Sequence, residues 1–234
     1  MSGYLKFEEN KVGFDYVVGD LHGNKTALIN LINKVNFNFE KDRLFSVGDL
    51  TDRGKENVEI IDLLKEKWFF AVRGNHEDII VNIKLKKYEE VYENKLNRDG
   101  NAWFFKESDE KRLEIIKTFK NLPYAIQVGD VGIIHAYPDT CWLETLKSIK
   151  KNDTLKIDTY IWSRSISKMV SNYNYTTVKK IENIGQVIVG HQIQDDAQIV
   201  KNVVFLDTGY YAGGKLTLMN LKTKEFTIEE NKRF

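Results

Sequence analysis

Three short segments place an aspartate, a histidine or an asparagine directly after a run of strand-forming residues. Asp20 and His22 stand in VVGDLHGN, Asp49 in LFSVGDL, and Asn75 and His76 in AVRGNHE. An unpaired charge at the mouth of a buried strand is costly, so these residues need a partner such as a cation. Because the carboxyl ends of parallel strands meet at one edge of a sheet, we expect the three loops to lie side by side.

Two later histidines follow strand-like segments in the same way. His135 comes after VGII and His191 after VIVG, so all four histidines of the chain occupy this kind of position. Imidazole and oxygen donors without a thiolate favour Mn²⁺, Fe or Zn²⁺ over Ca²⁺. A shared carboxylate commonly holds two such ions about 3.5–4 Å apart, where they polarise a phosphoryl oxygen and make hydroxide available. The residues therefore predict two cation sites that share one aspartate: Asp20, His22 and Asp49 for one, and Asn75, His135, His191 and Asp49 for the other.

The segments that carry the first three loops alternate between strand and helix patterns. Strands predicted at 14–19, 44–48 and 68–74 are each followed by a polar loop and then by a helix-like segment, which in the first two units carries apolar residues at helical spacing. This order predicts parallel strands with helical crossovers.

The second half of the chain has the pattern of antiparallel strands. AIQV-GD-VGIIHA predicts one hairpin, and KLTLMNL with EFTIEE predicts another. The polar stretch 147–156 predicts a surface loop, and the charged stretch 77–121 predicts a mostly helical insert. We therefore expect one mixed α/β domain over residues 1–234, with two packed sheets.

The bulk composition argues against several classes of partner. The 35 basic and 34 acidic side chains give a net charge of +1, which offers nucleic acid or an anionic membrane no electrostatic attraction. No apolar run approaches the roughly 20 residues of a membrane span, and the N-terminus lacks the apolar region of a signal peptide. Cys141 is the single cysteine, which excludes an internal disulfide and favours a cytoplasmic protein. The aromatic run at 103–105 is predicted to pack in the core.

Six motifs together resemble the PPP-type metallophosphoesterases, in particular the serine/threonine protein phosphatases of bacteriophages. They are GDLHGN, GDLTDRG, GNHE, HAYPD, IWSRS and FLDTGYYAGGKLTLM, and they extend over nearly the whole chain. The resemblance implies an α/β fold of the αββα sandwich type, with two mixed β-sheets flanked by helices. It also implies a dinuclear Mn²⁺ centre with the ligands given above, and hydrolysis of phosphoserine and phosphothreonine monoesters.

The resemblance also implies roles for residues beside the ligands. His76 is then a general acid that protonates the leaving alkoxide, oriented by Asp52, and such help is worth about 10²–10⁴ in rate. Guanidinium groups suit phosphate oxygens, and Arg53 and Arg73 lie in the ligand-bearing loops. Arg164 is a third phosphate-binding residue on the strength of the resemblance.

Other functions stay open on the same residues. Symmetrical dinucleoside polyphosphate hydrolases are similar but have GDLVARG and GNHD, whereas Asp52 and Glu77 stand here. A 2′,3′-cyclic phosphodiesterase would use the same dinuclear site, and a catalytically silent binding protein would be expected to have lost ligands, none of which is missing. The sequence therefore favours a phosphatase of phosphoproteins or phosphopeptides, by direct attack of metal-bound hydroxide. Phosphotyrosine stays open as a substrate, and no nucleic acid or membrane partner is expected.

Overall fold

The computed structural model describes residues 3–83, 100–164 and 178–232. Residues 84–99 of the predicted helical insert and the last residue of the IWSRS motif lie outside the described ranges. The described strands are β1 (Tyr4–Phe7), β2 (Asp15–Val18), β3 (Arg43–Ser46), β4 (Phe69–Ala71), β5 (Ala125–Val128), β6 (Val131–Ile134), β7 (Gln186–Val189), β8 (Gln198–Val200), β9 (Val203–Phe205), β10 (Lys215–Asn220) and β11 (Phe226–Glu230). The described α-helices are α1 (Lys25–Lys34), α2 (Asn57–Leu63), α3 (Asn75–Val81), α4 (Asp109–Lys120), α5 (Trp142–Lys150) and α6 (Thr154–Trp162).

Five strands form one mixed sheet in the order β11-β10-β2-β3-β4. Strands β2, β3 and β4 are parallel, as the alternation of strand and helix patterns predicts. Strand β10 runs antiparallel to both β2 and β11, which confirms the hairpin predicted near the end of the chain. The carboxyl ends of three parallel neighbours therefore lie at one edge of this sheet.

The other six strands form a second mixed sheet in the order β1-β5-β6-β7-β9-β8. Strands β5 and β6 are the predicted antiparallel hairpin, with Val128 paired to Val131 across the Gly-Asp turn. Strands β6, β7 and β9 are parallel neighbours. This sheet therefore also brings the carboxyl ends of parallel strands together.

The prediction of a surface loop at 147–156 is wrong, because helices fill most of this stretch. Helix α5 continues to Lys150, and α6 begins at Thr154 after Asp153, whose side chain accepts a hydrogen bond from the Lys156 backbone N–H at 3.3 Å. An aspartate in this position is a favourable helix N-cap. Lysines on the exposed faces obscure the apolar periodicity that buries Ile149 and Ile157.

Three apolar layers hold the sheets and helices together. Helix α1 packs Leu28 and Leu31 on the outer face of the five-stranded sheet. Val17 and Phe45 meet Ile133 and Ile188 between the two sheets. On the outer face of the six-stranded sheet, the core contains Trp142, Ile149 and Tyr160 of α5 and α6. The order helix, sheet, sheet, helix confirms the αββα architecture. None of the described helices combines the length and apolar character needed to cross a membrane.

Candidate metal centre

The six predicted metal ligands are buried residues at the carboxyl ends of parallel strands, and none is more than 6% exposed. The loops of the two sheets meet there: the His191 backbone N–H donates to Asp20 Oδ2 at 3.1 Å, and His135 Nε2 lies 2.9 Å from Asn75 Oδ1. The ligands are Asp20 and His22 after β2, Asp49 after β3, Asn75 after β4, His135 after β6 and His191 after β7.

The backbone of these loops is held in a conformation that L-residues rarely adopt. A positive φ at a residue other than glycine costs on the order of 1–3 kcal/mol and is concentrated at functional sites. The strand-end loops contain five such residues: His22 (φ 44°), Asp49 (φ 49°), Asp52 (φ 76°), Arg53 (φ 67°) and His191 (φ 66°). The packing around the loops must supply the free energy that keeps these side chains directed into the site.

Asp49 is shared by two groups of side chains whose ligand atoms lie within 4.8 Å of one another. In one group, the Nε2 atoms of His22 and His76 are 3.7 and 3.9 Å from Asp49 Oδ2. In the other group, which also contains His191, the Nε2 atom of His135 is 3.3 Å from Asp49 Oδ1. The two carboxylate oxygens therefore face different groups, which is the geometry that a bridging ligand needs.

Asp20 lies beside these groups and not within them. Its carboxylate accepts from the His191 backbone, and a Cβ atom on Gly190 would collide with Asp20 Oδ1. Likewise, a Cβ atom on Gly74 would collide with Asp49 Oδ1. Glycine at both positions lets the two carboxylates approach the backbone of neighbouring loops.

Backbone carbonyls orient the imidazole rings. Nδ1 of His22 is 3.0 Å from the Thr51 carbonyl oxygen, and Nδ1 of His135 is 2.8 Å from the Val47 carbonyl oxygen. Since a carbonyl only accepts, each ring carries its proton on Nδ1 and presents the Nε2 lone pair to the site. Metal-ligating histidines are typically oriented in this way.

Two of the rings are held neutral, which is the form that binds metals. Burial lowers the pKa of His22 to about 3, although Asp49 opposes the shift. Burial and the neighbouring His135 lower the pKa of His191 to about 3. The Nε2 atom of His191 is buried and accepts no hydrogen bond from the described part of the chain. An imidazole nitrogen of this kind is suited to a metal ion.

Buried carboxyl groups surround the same point. Burial raises the pKa of Asp20 well above its usual value, and the charges of Asp207 and Asp49 raise it further. Burial also raises the pKa of Asp207 to about 6 and that of Glu77 to about 7. By contrast, the pKa of Asp49 lies below its usual range, because surrounding histidines outweigh the effect of burial. Several buried carboxyl groups this close together are unfavourable when ionised, unless a positive charge, such as that of a cation, lies among them.

These observations fit two divalent cations. The donor set is imidazole, carboxylate and amide oxygen, with a carboxylate between two groups and an imidazole nitrogen without a partner among the described residues. The two groups that could hold the ions are His22, Asp49 and His76, and Asp49, His135 and His191. The other two predicted ligands adjoin them, Asp20 at the His191 backbone and Asn75 at the His135 ring.

His76 and Asp52 form a buried pair beside the candidate metal ligands. His76 Nδ1 is 2.6 Å from Asp52 Oδ2, and its Nε2 faces Asp49. Burial disfavours the charged ring, but Asp49 and Asp52 outweigh this effect and raise the pKa of His76 to about 9. The ring can therefore carry a proton on Nε2 at neutral pH, as a general acid requires.

The three predicted phosphate-binding arginines are placed differently. The charge of Arg53 lowers the pKa of His22 in addition to burial, and the charge of Arg164 acts on His191 in the same sense, so both arginines lie within electrostatic range of the site. Arg73 is buried, and its terminal nitrogens bond to Asp78 at 3.3 Å, to the Tyr124 hydroxyl at 2.9 Å and to the Lys120 carbonyl at 2.7 Å. These three contacts hold the guanidinium of Arg73 in the protein interior. Its phosphate-binding role stays a prediction.

Three residues that surround the site are not among the site residues predicted from the sequence. Asp207 follows β9, the parallel neighbour of β7, so its position after a strand was an available signal. Glu77 accepts hydrogen bonds from the backbone N–H groups of Asp49, Leu50 and Gly74 at 2.8–3.0 Å, which no spacing indicates. The ring of Tyr211 contacts His22 edge-on, with centroids 4.5 Å apart, and lies 4.3 Å from the Arg53 guanidinium.

The fold and the site define the class of protein. Residues 16–195 match the calcineurin-like phosphoesterase family, so the chain belongs to this family of metallophosphoesterases. Membership implies two divalent metal ions and supports phosphoester hydrolysis, in agreement with the donor groups described above. The resemblance to the PPP-type enzymes is thereby confirmed.

Individual relatives within this family include protein phosphatases and dinucleoside tetraphosphatases. The chain is 32% identical to serine/threonine-protein phosphatase 2 of Salmonella typhimurium over 88% of this chain and 92% of that protein. It is 26% identical to the asymmetrical bis(5′-nucleosyl)-tetraphosphatase PrpE of Halalkalibacterium halodurans over 90% of this chain and 91% of that protein. A crystal structure of a candidate diadenosine tetraphosphatase superposes with a TM-score of 0.67 at 19% identity, covering 100% of both chains. These relatives support the metallophosphoesterase fold and leave two substrate classes in view.

Proposed function

We propose that this protein is a metal-dependent phosphatase that hydrolyses phosphoserine and phosphothreonine monoesters of proteins or peptides. The observation that carries the proposal is the buried Asp52–His76 pair, with Nδ1 of the ring 2.6 Å from the carboxylate and Nε2 directed to Asp49. Serine and threonine alkoxides are poor leaving groups and need a proton, which this pair can supply. The 32% identity to a bacterial serine/threonine-protein phosphatase supports the same substrate class.

His76 gives its Nε2 proton to the leaving-group oxygen as the phosphorus–oxygen bond breaks. Asp52 holds the ring from the other side and stabilises its positive charge. A histidine with a pKa of about 9 is protonated at neutral pH. Bound divalent ions would lower this value towards neutrality, because they counter the charge of Asp49, and a general acid works best near the ambient pH.

Arg53 and Arg164 supply positive charge at the mouth of the site. Both are exposed, whereas the candidate ligands are buried. Their guanidinium groups are suited to binding the phosphoryl oxygens and to stabilising the negative charge that spreads over these oxygens in the transition state. The aromatic ring of Tyr211 lies against Arg53 and restricts the directions in which it can point.

The mixed donor set suits Mn²⁺, with Fe or Zn²⁺ as other candidates. When bound, two such ions supply Lewis-acid polarisation of the phosphoryl group and an activated water as nucleophile.

The test is a substrate panel with a metal control. The protein is stripped with EDTA, reloaded with Mn²⁺, Fe²⁺ or Zn²⁺, and assayed on a phosphoserine peptide, a phosphotyrosine peptide, diadenosine tetraphosphate and a 2′,3′-cyclic nucleotide. We expect no activity after EDTA, recovery with Mn²⁺, and the highest kcat/KM on the phosphoserine peptide. A highest kcat/KM on diadenosine tetraphosphate would replace the proposal with the activity named for the PrpE relative.

A variant separates the role of His76 from that of the metal ligands. His76→Asn should lower the rate on phosphoserine by about 10²–10⁴ and leave the rate on p-nitrophenyl phosphate much less affected, because p-nitrophenolate leaves without a proton. His135→Asn, which removes a candidate ligand, is the matched control and should lower both rates together. Equal losses on both substrates in His76→Asn would contradict the general-acid role.

A further inference from the structure

Asp52 is contacted by residues 100–104, a segment that belongs to none of the strand-end loops. Trp103 Nε1 donates a hydrogen bond to Asp52 Oδ1 at 2.7 Å, and Asn101 Nδ2 donates one to Asp52 Oδ2 at 3.2 Å. Asp52 and Asn101 are completely buried. Three nitrogen donors therefore converge on one carboxylate, because His76 Nδ1 lies 2.6 Å from the same Oδ2.

The chemistry of these donors fixes the direction of the hydrogen bond to His76. An indole N–H only donates, and so does an amide NH₂ group, so both oxygens of Asp52 act as acceptors. Donors on both sides favour the ionised carboxylate, and towards an ionised carboxylate the Nδ1 atom of His76 is the donor. The ring therefore keeps a proton on Nδ1 and directs Nε2, which carries the transferable proton, towards Asp49, 3.9 Å from Oδ2.

The segment is fastened to the site at both of its ends. At one end, the Arg53 backbone N–H donates to the Gly100 carbonyl at 3.3 Å. Gly100 has φ +85°, and a Cβ atom there would lie 2.6 Å from the Arg53 nitrogen, so only glycine fits this approach. At the other end, Trp103 packs against the core of α3 and α4, which contains Ile80 and Phe104. Since α3 also carries His76, the indole and the imidazole are positioned by the same core.

We propose that Trp103 is a positioning residue for catalysis: its indole N–H, together with Asn101, holds the Asp52 carboxylate so that His76 presents Nε2 to the leaving-group oxygen. This inference rests on the proposed function, because it acts through the Asp52–His76 pair. It adds a residue that makes no contact with the candidate ligands and determines how well the enzyme handles substrates with poor leaving groups.

The test uses Trp103→Phe, which keeps an aromatic ring in place and removes the N–H. The ratio of kcat on phosphoserine to kcat on p-nitrophenyl phosphate should fall about 10- to 100-fold, the effect of one hydrogen bond to a charged group. Trp142→Phe is the matched control, because the fully buried Trp142 donates a similar bond to Gln127 Oε1 at 3.0 Å in the core of the six-stranded sheet. The Trp142→Phe control should leave the ratio unchanged. If Trp103→Phe only damaged the structure, both rates would fall together and the ratio would also stay unchanged.

A second measurement does not depend on activity. In ¹⁵N-histidine-labelled, metal-free protein, the His76 Nδ1 proton should exchange slowly with water in the wild type and in Trp142→Phe, and at least about tenfold faster in Trp103→Phe, because its acceptor is no longer held. An unchanged substrate ratio together with unchanged exchange would overturn the inference. If the wild type hydrolyses no phosphomonoester, the proposed function fails, and the exchange rates alone decide whether Trp103 positions the pair.

Discussion

Acidification of the metal-free protein should destabilise it through His191, and the size of the effect follows from its surroundings. Burial and His135 lower the pKa of this ring to about 3, whereas an unfolded histidine titrates near about 6.5. The folded state therefore binds fewer protons than the unfolded state between these values. The contribution of His191 to the free energy of unfolding is complete above about pH 6.5 and is lost progressively as the pH falls towards 3.

The magnitude can be calculated from this linkage. Each pKa unit corresponds to about 1.36 kcal/mol, and between pH 7.5 and 5.0 the unfolded ring takes up nearly one proton while the folded ring takes up none. The loss is about 2 kcal/mol for His191 alone. The figure is set by the unfolded pKa, because the buried ring stays neutral over the whole interval.

The assay is urea denaturation in EDTA at pH 7.5, 6.5, 5.5 and 5.0, followed by tryptophan fluorescence, for the wild type and His191→Gln. The free energy of unfolding of the wild type should fall by about 2 kcal/mol relative to the variant between the highest and the lowest pH. Leu155→Gln is the control, because Leu155 is 81% exposed and its curve should run parallel to that of the wild type. Parallel curves for the wild type and His191→Gln would refute the claim that the fold keeps this ring neutral.

Three further substitutions test other parts of the structure. Arg73→Met should lower the free energy of unfolding by about 1–3 kcal/mol, because Asp78 and the Lys120 carbonyl lose the guanidinium that donates to them. A raised KM for phosphopeptide at unchanged stability would instead support the predicted phosphate-binding role. Glu77→Gln should lower the unfolding free energy by about 1–3 kcal/mol and weaken Mn²⁺ binding measured by calorimetry, since an amide NH₂ cannot accept from the Leu50 N–H, or from the Asp49 and Gly74 N–H groups if it takes the other position. An unchanged melting temperature and Mn²⁺ affinity would show that the carboxylate is dispensable. Tyr211→Leu should raise KM for a phosphoserine peptide about 3- to 5-fold by releasing Arg53 from the ring, and KM within error of the wild type would argue against this contact.

The clustering of the strand-end residues could be predicted because two independent patterns coincide in them. A strand pattern fixes where the chain leaves the sheet, and polar residues at that point, such as Asp20 and His135, lie at the edge where α/β sheets bind their ligands. Asp207 satisfies both patterns as well and is not among the predicted ligands. The parallel pairing of β9 with β7, which brings it to Asp20, is a long-range contact that no local pattern contains.

Other features could not be predicted, because the direction of a side chain and its hydrogen-bond partner depend on tertiary packing. The loop that carries Arg73 is evident from the sequence, but the contacts of its guanidinium with the Tyr124 hydroxyl and the Lys120 carbonyl are not. The aromatic run at 103–105 was predicted to be core, and Phe104 is indeed fully buried. Its neighbour Trp103 reaches Asp52, which is 51 residues away in sequence, and residue type alone does not indicate which face of such a run is polar.

The division of the candidate ligands between two sheets has a consequence for the synthesis and folding of the chain. The five-stranded sheet supplies Asp20, His22, Asp49 and Asn75, whereas His135 and His191 come from the six-stranded sheet. During synthesis, the candidate ligands of the five-stranded sheet leave the ribosome before those of the six-stranded sheet, since 171 residues separate Asp20 from His191. Tight binding of the cations therefore requires that both sheets have folded and packed together. A newly made chain is expected to bind its ions late in folding, and metal binding does not initiate folding.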